Sequence, residues 1–280
     1  MADFSAADVA ALRRATGAGM MDCKKALTET DGDMQAAQEW LRKKGLSGSK
    51  RDERNATDGA IDVLVEGGVG AMVELTAETD FVAKGADFTA TVAALTRLAL
   101  DEGKEELAEL RINGEPVGEH VTQLAARLGE NVALGRVVVF ESTDGVLDGY
   151  KHVQNGRGTI GVLVELGGVD PGDARAQEVA HDLALHIASA APRYLTRDDV
   201  PEDVVAKERE VFEELSRNEG KPENALPKIV EGRLNGFFKD VVLLEQPFVR
   251  DPKTTVGKLV ESLGSGAGVR RFARVKIGEE

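Results

Sequence analysis

An internal repeat constrains the fold of this chain more than any other feature of its sequence. Met-Val-Glu-Leu at residues 72–75 is echoed by Leu-Val-Glu-Leu at residues 163–166, and glycines interrupt the apolar stretch before each of them. A helix-like segment ending in Leu-Gly at residues 124–129 is echoed at residues 259–264. Apolar runs broken by glycine are typical of paired strands. Each copy therefore predicts two strands, helices and a third strand, which make a small antiparallel sheet covered by helices on one face.

The spacing between the two copies locates an insertion. Val73 and Val164 are 91 positions apart, whereas Gly129 and Gly264 are 135 positions apart, so the second copy carries about 44 additional residues. We place these residues at 194–237.

The inserted residues predict an antiparallel helical hairpin, a short coiled coil. A turn at residues 218–222 separates two apolar stripes on otherwise charged segments, and such stripes form the seam between paired helices. The stripes are Val204, Val211 and Leu215, then Ile229, Val230, Leu234 and Phe237. We expect a hairpin that contacts a partner, mediates self-association, or projects as a solvated spur.

Three short helices are predicted before the repeat, and the first begins at a capping box formed by Ser5 and Asp8. Gly17 and Gly45 end the first and third helices. The inward-facing residues are Val9, Leu12, Ala15, Cys23, Ala26, Leu27, Met34, Ala37 and Leu41. This pattern resembles a ubiquitin-associated module.

The loop at Gly19-Met20 of this module has two interpretations. Methionine is flexible and suits an adaptable binding surface, but Met20 and Met21 are equally typical of core filler. The residues alone leave both open.

Together these features predict an α+β fold with an N-terminal three-helix module and two duplicated sheet-and-helix subdomains. A flexible, partly basic linker joins the module to the subdomains. The predicted boundaries are 1–45 for the module, 46–58 for the linker, 59–142 for the first subdomain, 143–193 with 238–280 for the second, and 194–237 for the hairpin.

The stretch from Glu78 to Lys84 lies between a predicted strand and a predicted helix. Thr79 and Asp80 are both capable helix N-caps. Phe81 then falls in the first turn, where it is either a core anchor, the commoner case for Phe, or an exposed aromatic that inserts into a partner. Periodicity does not choose between them.

Composition excludes several classes of function. The formal net charge is −14, which argues against binding to a phosphate backbone. The single Cys23 and four histidines leave little material for a zinc site, and His181 and His186 are spaced so that they do not share a helix face. There is no phosphate-binding glycine motif and no catalytic constellation. We expect no enzyme activity, no metal, no cofactor, no membrane span and a cytoplasmic location.

Several motifs, taken in order, resemble the bacterial elongation factor Ts family over essentially the whole chain. The family comprises guanine-nucleotide exchange factors of elongation factor Tu. The matching segments are residues 12–27, 79–84, 128–131, 161–164, 230–233 and 246–249. The chain stops soon after residues 274–277, so we expect no contact from the further C-terminal helix that some members carry.

The resemblance implies a set of residues that bind elongation factor Tu. In the family, the Asp and Phe that match Asp80 and Phe81 insert into the GTPase. The whole expected set is Met20, Lys24, Thr79, Asp80, Phe81, Val82, Lys84, Leu128, Gly129, His152, Val249 and Arg250. At Arg250 the family residue is often apolar.

The resemblance thus implies an exchange factor that binds elongation factor Tu and itself binds no nucleotide. A binding adaptor without exchange activity is the alternative, and an RNA-binding protein is disfavoured by the charge. Homodimerisation, through the hairpin or through the exposed sheet of the second copy, stays open.

Overall fold

The computed structural model describes residues 4–16, 18, 20–46 and 56–279. These residues form a mixed fold of helices and antiparallel sheets with three helices at the N-terminal end, as predicted. The α-helices are α1 (Ala6–Thr16), α2 (Met20–Glu29), α3 (Met34–Leu46), α4 (Asp80–Ala83), α5 (Ala86–Glu102), α6 (Val117–Leu128), α7 (Ala174–Ala190), α8 (Glu202–Asn218), α9 (Leu226–Val241) and α10 (Val256–Glu261). The β-strands are β1 (Asp58–Glu66), β2 (Val69–Ala77), β3 (Arg111–Ile112), β4 (Glu115–Pro116), β5 (Ala133–Glu141), β6 (Gly145–Gln154), β7 (Arg157–Gly167), β8 (Pro247–Phe248), β9 (Asp251–Thr255) and β10 (Gly268–Lys276).

Two three-stranded antiparallel sheets share one order of strands. The first sheet is β1-β2-β5 and the second is β6-β7-β10. In each, a hairpin comes first and a later strand pairs with the hairpin's second strand. The first hairpin turns at Gly67-Gly68 and the second at Asn155-Gly156, all with positive φ, which is the backbone that tight hairpin turns require. The subdomain boundaries near residues 142 and 193 stay a prediction.

The two sheets pack face to face. Ile61 and Met72 of the first sheet form one buried cluster with Leu163 and Val275 of the second. A β-carbon at Gly161 would lie 2.5 Å from the sulfur of Met72, so side chains of the first sheet already fill the space that a side chain at this position would need. This face of the second sheet is therefore covered by the first sheet, while self-association through the second copy stays a prediction.

Helices cover the outer face of each sheet, as predicted. Phe88 and Leu95 of α5 and Leu124 of α6 pack with Val73 and Leu75 of β2 in one core. A second core joins α7, α10 and β7. Its fully buried members include Leu183, Ala184, Val162, Val164 and Val256. The molecule is layered as helices, sheet, sheet, helices.

α8 and α9 form the predicted helical hairpin. The apolar stripe predicted for α8 is wrong at two of its three residues, which lie on the exposed face of the helix. Val211 and Leu215 are 56% and 43% exposed. The buried row of α8 runs instead through half-buried Phe212 and buried Ser216. A hydrophobicity pattern does not favour a buried serine. The prediction therefore named Val211 and Leu215, each one position before a residue of the buried row. On α9 the predicted stripe is right, with Val230 and Leu234 buried and Ile229 and Phe237 half-buried. Leu226, which was not predicted, is buried as well.

The N-terminal helices enclose a small core of their own. Val9, Leu12, Cys23, Ala26, Leu27 and Ala37 are its buried members. The capping box is present, since Asp8 Oδ2 accepts from the Ser5 amide at 2.7 Å. Met20 and Met21 are 57% and 74% exposed, so the core-filler interpretation is wrong. The predicted helix end at Gly17, the loop residue Gly19 and most of the linker, 47–55, lie outside the described residues.

Candidate partner-binding surface

Phe81 projects from a single helical turn between the first hairpin and α5. Thr79 is the N-cap of this turn, α4, because its hydroxyl accepts from the amide of Val82 at 3.4 Å. Ala83 at the end of the turn is fully buried, which anchors α4 to the core. Phe81 is 76% exposed. The core-anchor interpretation of Phe81 is therefore wrong, and the ring is available to a partner.

Lys84 contacts both residues of the Asp-Phe pair. Its Nζ lies 3.1 Å from Asp80 Oδ2 and 4.3 Å from the centroid of the Phe81 ring. An ion pair one helical turn apart and a cation over an aromatic face are each modest at the surface. Together they favour one arrangement of Asp80 and Phe81 before any partner arrives.

Leu128 and Gly129 lie beside this turn because two carboxylates tie the segments together. Glu130 Oε1 accepts from the Thr79 hydroxyl at 2.6 Å, and Oε2 accepts from the Thr79 amide at 3.1 Å. Glu78 Oε1 accepts from the amide of Asn131 at 2.6 Å. The two loops thus exchange carboxylate contacts.

Glu130 and Asn131 lie within the matching segment at residues 128–131, but no role for either residue follows from the sequence alone. A glutamate after a helix-ending glycine has no pattern that predicts its partner 51 positions away. Leu128 is half-buried against the first core. Gly129 ends α6 with φ of 78°, a backbone that favours glycine.

His152 lies on β6, the edge strand of the second sheet, and is exposed. Its Nδ1 lies 3.1 Å from the hydroxyl of Tyr150, two residues before it. This contact holds the exposed ring of His152 beside Tyr150. On the same strand, burial raises the pKa of the Asp148 carboxyl. His181 of α7, whose Nδ1 lies 3.5 Å from Asp148 Oδ2, opposes that rise only in part.

Val249 and Arg250 follow β8 and are held by α7. The amide of Val249 donates to Nδ1 of buried His186 at 3.3 Å. Arg250 pairs with Asp182 at 2.5 Å. The side chain of Val249 is 46% exposed. α7 therefore connects this segment to His152, since its His181 contacts β6.

Burial fixes the protonation of His186. Desolvation lowers its pKa, and a hydrogen bond between Nε2 and Gln246 Oε1 at 2.8 Å opposes that shift only in part. The neutral ring donates from Nε2 to Gln246 and accepts at Nδ1 from Val249.

The expected contact residues thus fall into three groups. Met20 and Lys24 are exposed on α2, and residues 79–84 with 128–129 form a second group. His152 on β6 and residues 249–250 after β8 make up the third, on two segments that each contact α7. Val82 of the second group is half-buried against the first core.

Two features are absent from the described residues: a cluster of metal-ligand side chains and a helix that could span a membrane. No cluster of three or more His, Cys, Asp or Glu side chains suited to a metal ion occurs among them. None of the helices within the described ranges has the length and apolar character to cross a bilayer.

Comparison with known proteins gives consistent matches along the chain. A family model described as Elongation factor TS matches residues 78–279. A relative from Micrococcus luteus is 47% identical over 284 residues, which cover 99% of this chain and 100% of the relative. One from Nocardioides sp. is 49% identical over 284 residues with the same coverage. One from Mycobacterium avium is 48% identical over 285 residues, covering 100% of both chains. All three are named Elongation factor Ts.

Proposed function

This chain belongs to the elongation factor Ts family, which has a role in translation elongation, and from that premise we propose that it is the guanine-nucleotide exchange factor of elongation factor Tu. The observation that carries the proposal is the 76% exposure of Phe81 on a capped turn beside the core. A large aromatic held outside the core and braced by Lys84 is suited to insertion into a partner.

Exchange requires a difference in affinity between two states of the partner. A GTPase holds its nucleotide through backbone amides around the phosphates and through a magnesium ion. A factor that binds the empty GTPase more tightly than the nucleotide-bound one shifts the equilibrium towards release, whereas equal affinity shifts nothing. The coupling is reciprocal, so incoming nucleotide weakens the factor's hold and releases it.

In this proposal the residues of the surface divide the work. Phe81 wedges between helices of the GTPase domain, and Asp80 perturbs the magnesium ion and the phosphate-binding loop. Thr79, Val82 and Lys84 present the pair, Leu128 and Gly129 contact the partner beside it, and Met20 with Lys24 binds through the N-terminal helices. His152, Val249 and Arg250 bind a separate part of the partner. This chain supplies no nucleotide site and acts in the cytoplasm, where translation takes place.

Release of a fluorescent GDP from elongation factor Tu tests the proposal. The wild type should accelerate release, and Phe81→Ala should lose about 2 kcal/mol of transition-state stabilisation, roughly 30-fold in rate, if Phe81 is an interface hot spot. Asp80→Ala with Phe81→Ala should lose more. Val211→Ala, which also trims an exposed apolar side chain, is the matched control.

Three outcomes are informative. Equal acceleration by a folded Phe81→Ala protein would remove Phe81 from the mechanism. Stable capture of elongation factor Tu by the wild type without faster release would favour the adaptor alternative. No acceleration and no capture would contradict both.

A further inference from the structure

We propose that Glu130 is a positioning residue that sets the direction of Phe81 by holding the N-cap of α4. The proposal rests on the proposed function, in which Phe81 is the inserted residue. Glu130 lies on another loop, 51 positions along the chain from Thr79. It acts on Phe81 through Thr79 and, in this proposal, makes no contact of its own with the partner.

The Thr79 hydroxyl has one proton and two lone pairs. The proton and one of the lone pairs form hydrogen bonds. It donates its proton to Glu130 Oε1 at 2.6 Å and accepts from the Val82 amide at 3.4 Å. A short bond to an ionised acceptor is the stronger of the two. Glu130 therefore fixes the rotation of the hydroxyl and aims its lone pair at the helix.

α4 depends on this cap more than a long helix would. It has four residues, and isolated helices of that length are unstable because nucleation is costly. Phe81, which is 76% exposed, has little intramolecular packing to orient it. Its direction follows from the backbone of the turn and from Lys84.

Glu130 also sets the spacing between two segments of the surface. It follows Leu128 and Gly129 directly, so its bonds to Thr79 join both proposed contact segments into one rigid edge. The bond from Asn131 to Glu78 at 2.6 Å restrains the same edge from the other side. Preorganisation of this kind reduces the ordering cost of binding.

The first test observes Phe81 without any partner. The protein contains nine phenylalanines, so uniform labelling with 4-fluorophenylalanine gives nine fluorine resonances, and Phe81→Leu assigns the one from Phe81. Glu130→Gln keeps the side-chain shape but places an amide donor against one of the two Thr79 donors. We expect the Phe81 resonance to shift or broaden while the others stay. An unchanged Phe81 resonance would overturn the proposal.

The second test uses GDP release from elongation factor Tu. Glu130→Gln should slow the accelerated release about tenfold, in line with the loss of a charge-assisted hydrogen bond, whereas Glu119→Gln, at an exposed site on the preceding helix α6, should not. In a Phe81→Ala background Glu130→Gln should slow release much less than it does alone, since its main effect passes through Phe81 and only the spacing to Leu128 and Gly129 remains to be lost. Losses that multiply would mean that Glu130 contacts the partner itself, and that result would overturn the positioning role.

A second pair of variants guards against misfolding of Glu130→Gln. Thr79→Val removes the hydroxyl from the other side of the bond and should reproduce the loss, while Thr122→Val, which removes a hydroxyl that donates to the carbonyl of Gly118 within α6, should retain near-wild-type release. Wild-type release by Thr79→Val would overturn the proposal. If the wild type itself fails to accelerate release, the proposed function fails, and the fluorine spectrum still decides whether Glu130 positions Phe81.

Discussion

Arg136 and Arg271 make equivalent contacts in the two sheets of the molecule. Arg136 Nε lies 3.1 Å from Oε2 of Glu74, and Arg271 Nε lies 2.6 Å from Oε2 of Glu165. Both glutamates are buried, with 6% and 3% exposure. The sequence repeat relates each glutamate to the other and each arginine to the other, so the repeat preserves a buried charge pair as well as the strands.

Each of these arginines also reaches into the opposite sheet. Arg136 Nη2 donates to the carbonyl of Lys276 at 3.2 Å, at the end of β10. Arg271 Nη2 donates to the carbonyl of Glu141 at 2.8 Å, at the end of β5. Glu141 and Lys276 are equivalent positions of the repeat. The two sheets are therefore fastened by a reciprocal pair of arginines.

Replacing Arg136 should destabilise the protein more than replacing Arg271. Glu165 has a second cationic partner in Arg270 at 3.2 Å, whereas among the described residues Arg136 is the only ion-pair partner of Glu74. A buried carboxylate left without its partner costs several kcal/mol. We expect Arg136→Leu to lower the free energy of unfolding by about 3 kcal/mol, and Arg271→Leu by less. Urea denaturation of both variants measures this, and the opposite order would contradict the idea that Arg270 compensates.

Acidification should loosen the segment around Val249 through His186. Because burial lowers the pKa of His186, the unfolded chain takes up a proton near pH 6.5 before the folded protein does. The contribution of His186 to stability is complete above that pH and is lost as the pH falls from about 6.5 towards the folded-state pKa, by up to about 1.4 kcal/mol per pH unit. Urea denaturation between pH 7.5 and 5.5 should show this decline in the wild type.

His186→Gln is the matched comparison for that decline. The variant keeps a polar side chain but does not titrate in this range, so its free energy of unfolding should fall less steeply with acid. The remaining histidines contribute equally to both proteins. Parallel pH profiles would exclude His186 as the group responsible.

Gly161→Ala should destabilise the packing between the sheets. A β-carbon at Gly161 would lie 2.6 Å from a methyl carbon of Ile61, a stiff β-branched side chain, as well as close to Met72. Overpacking of this kind costs about 1–3 kcal/mol. Gly232→Ala is the control, because Gly232 lies inside α9 with open space around it and alanine favours a helix by up to about 1 kcal/mol. Thermal unfolding should move in opposite directions for the two variants.

Lys84→Met should separate stability from exchange. Its ion pair with Asp80 and its contact with the Phe81 ring are both at the surface, so the free energy of unfolding should change by less than about 1 kcal/mol. Accelerated GDP release should nevertheless fall several-fold, because Asp80 and Phe81 lose the group that orients both. Lys84→Arg keeps the charge and the ring contact and should be close to wild type. Full activity of Lys84→Met would show that this brace is dispensable.

The strands of both sheets could be predicted from the sequence because their signals are local. Glycine turns, apolar runs and the repeat itself placed β2 and β7 within the observed elements. Capping chemistry placed the start of α1 for the same reason. The two hairpin helices were located as well, although α9 runs to Val241, beyond the predicted boundary at residue 237.

The side-chain environment could not be predicted, because it depends on contacts between distant segments. The pattern of α8 did not favour Ser216 over Leu215, and the packing reversed that order. The sequence pattern around Phe81 favoured a core position, and only the placement of the turn put the ring at the surface. Glu130 and Tyr150 belong to no motif that assigns them a role. Their roles are visible only in the contacts that they make, with the Thr79 hydroxyl and with His152 Nδ1. Periodicity reports which faces are apolar, and it does not report which hydroxyl meets which carboxylate.

The contact between Arg136 and Lys276, 140 positions apart, also has a consequence for folding during synthesis on the ribosome. Loop closure over such a distance is slow compared with the formation of local hairpins. Until β10 has been synthesised and paired, the apolar face of Ile61 and Met72 lacks part of its cover, and Nη2 of Arg136 lacks the Lys276 carbonyl to which it donates. Exposed apolar surface on a partly made chain is prone to aggregation. We expect nascent chains of this protein to bind a ribosome-associated chaperone from the emergence of the first sheet until that of the last strand.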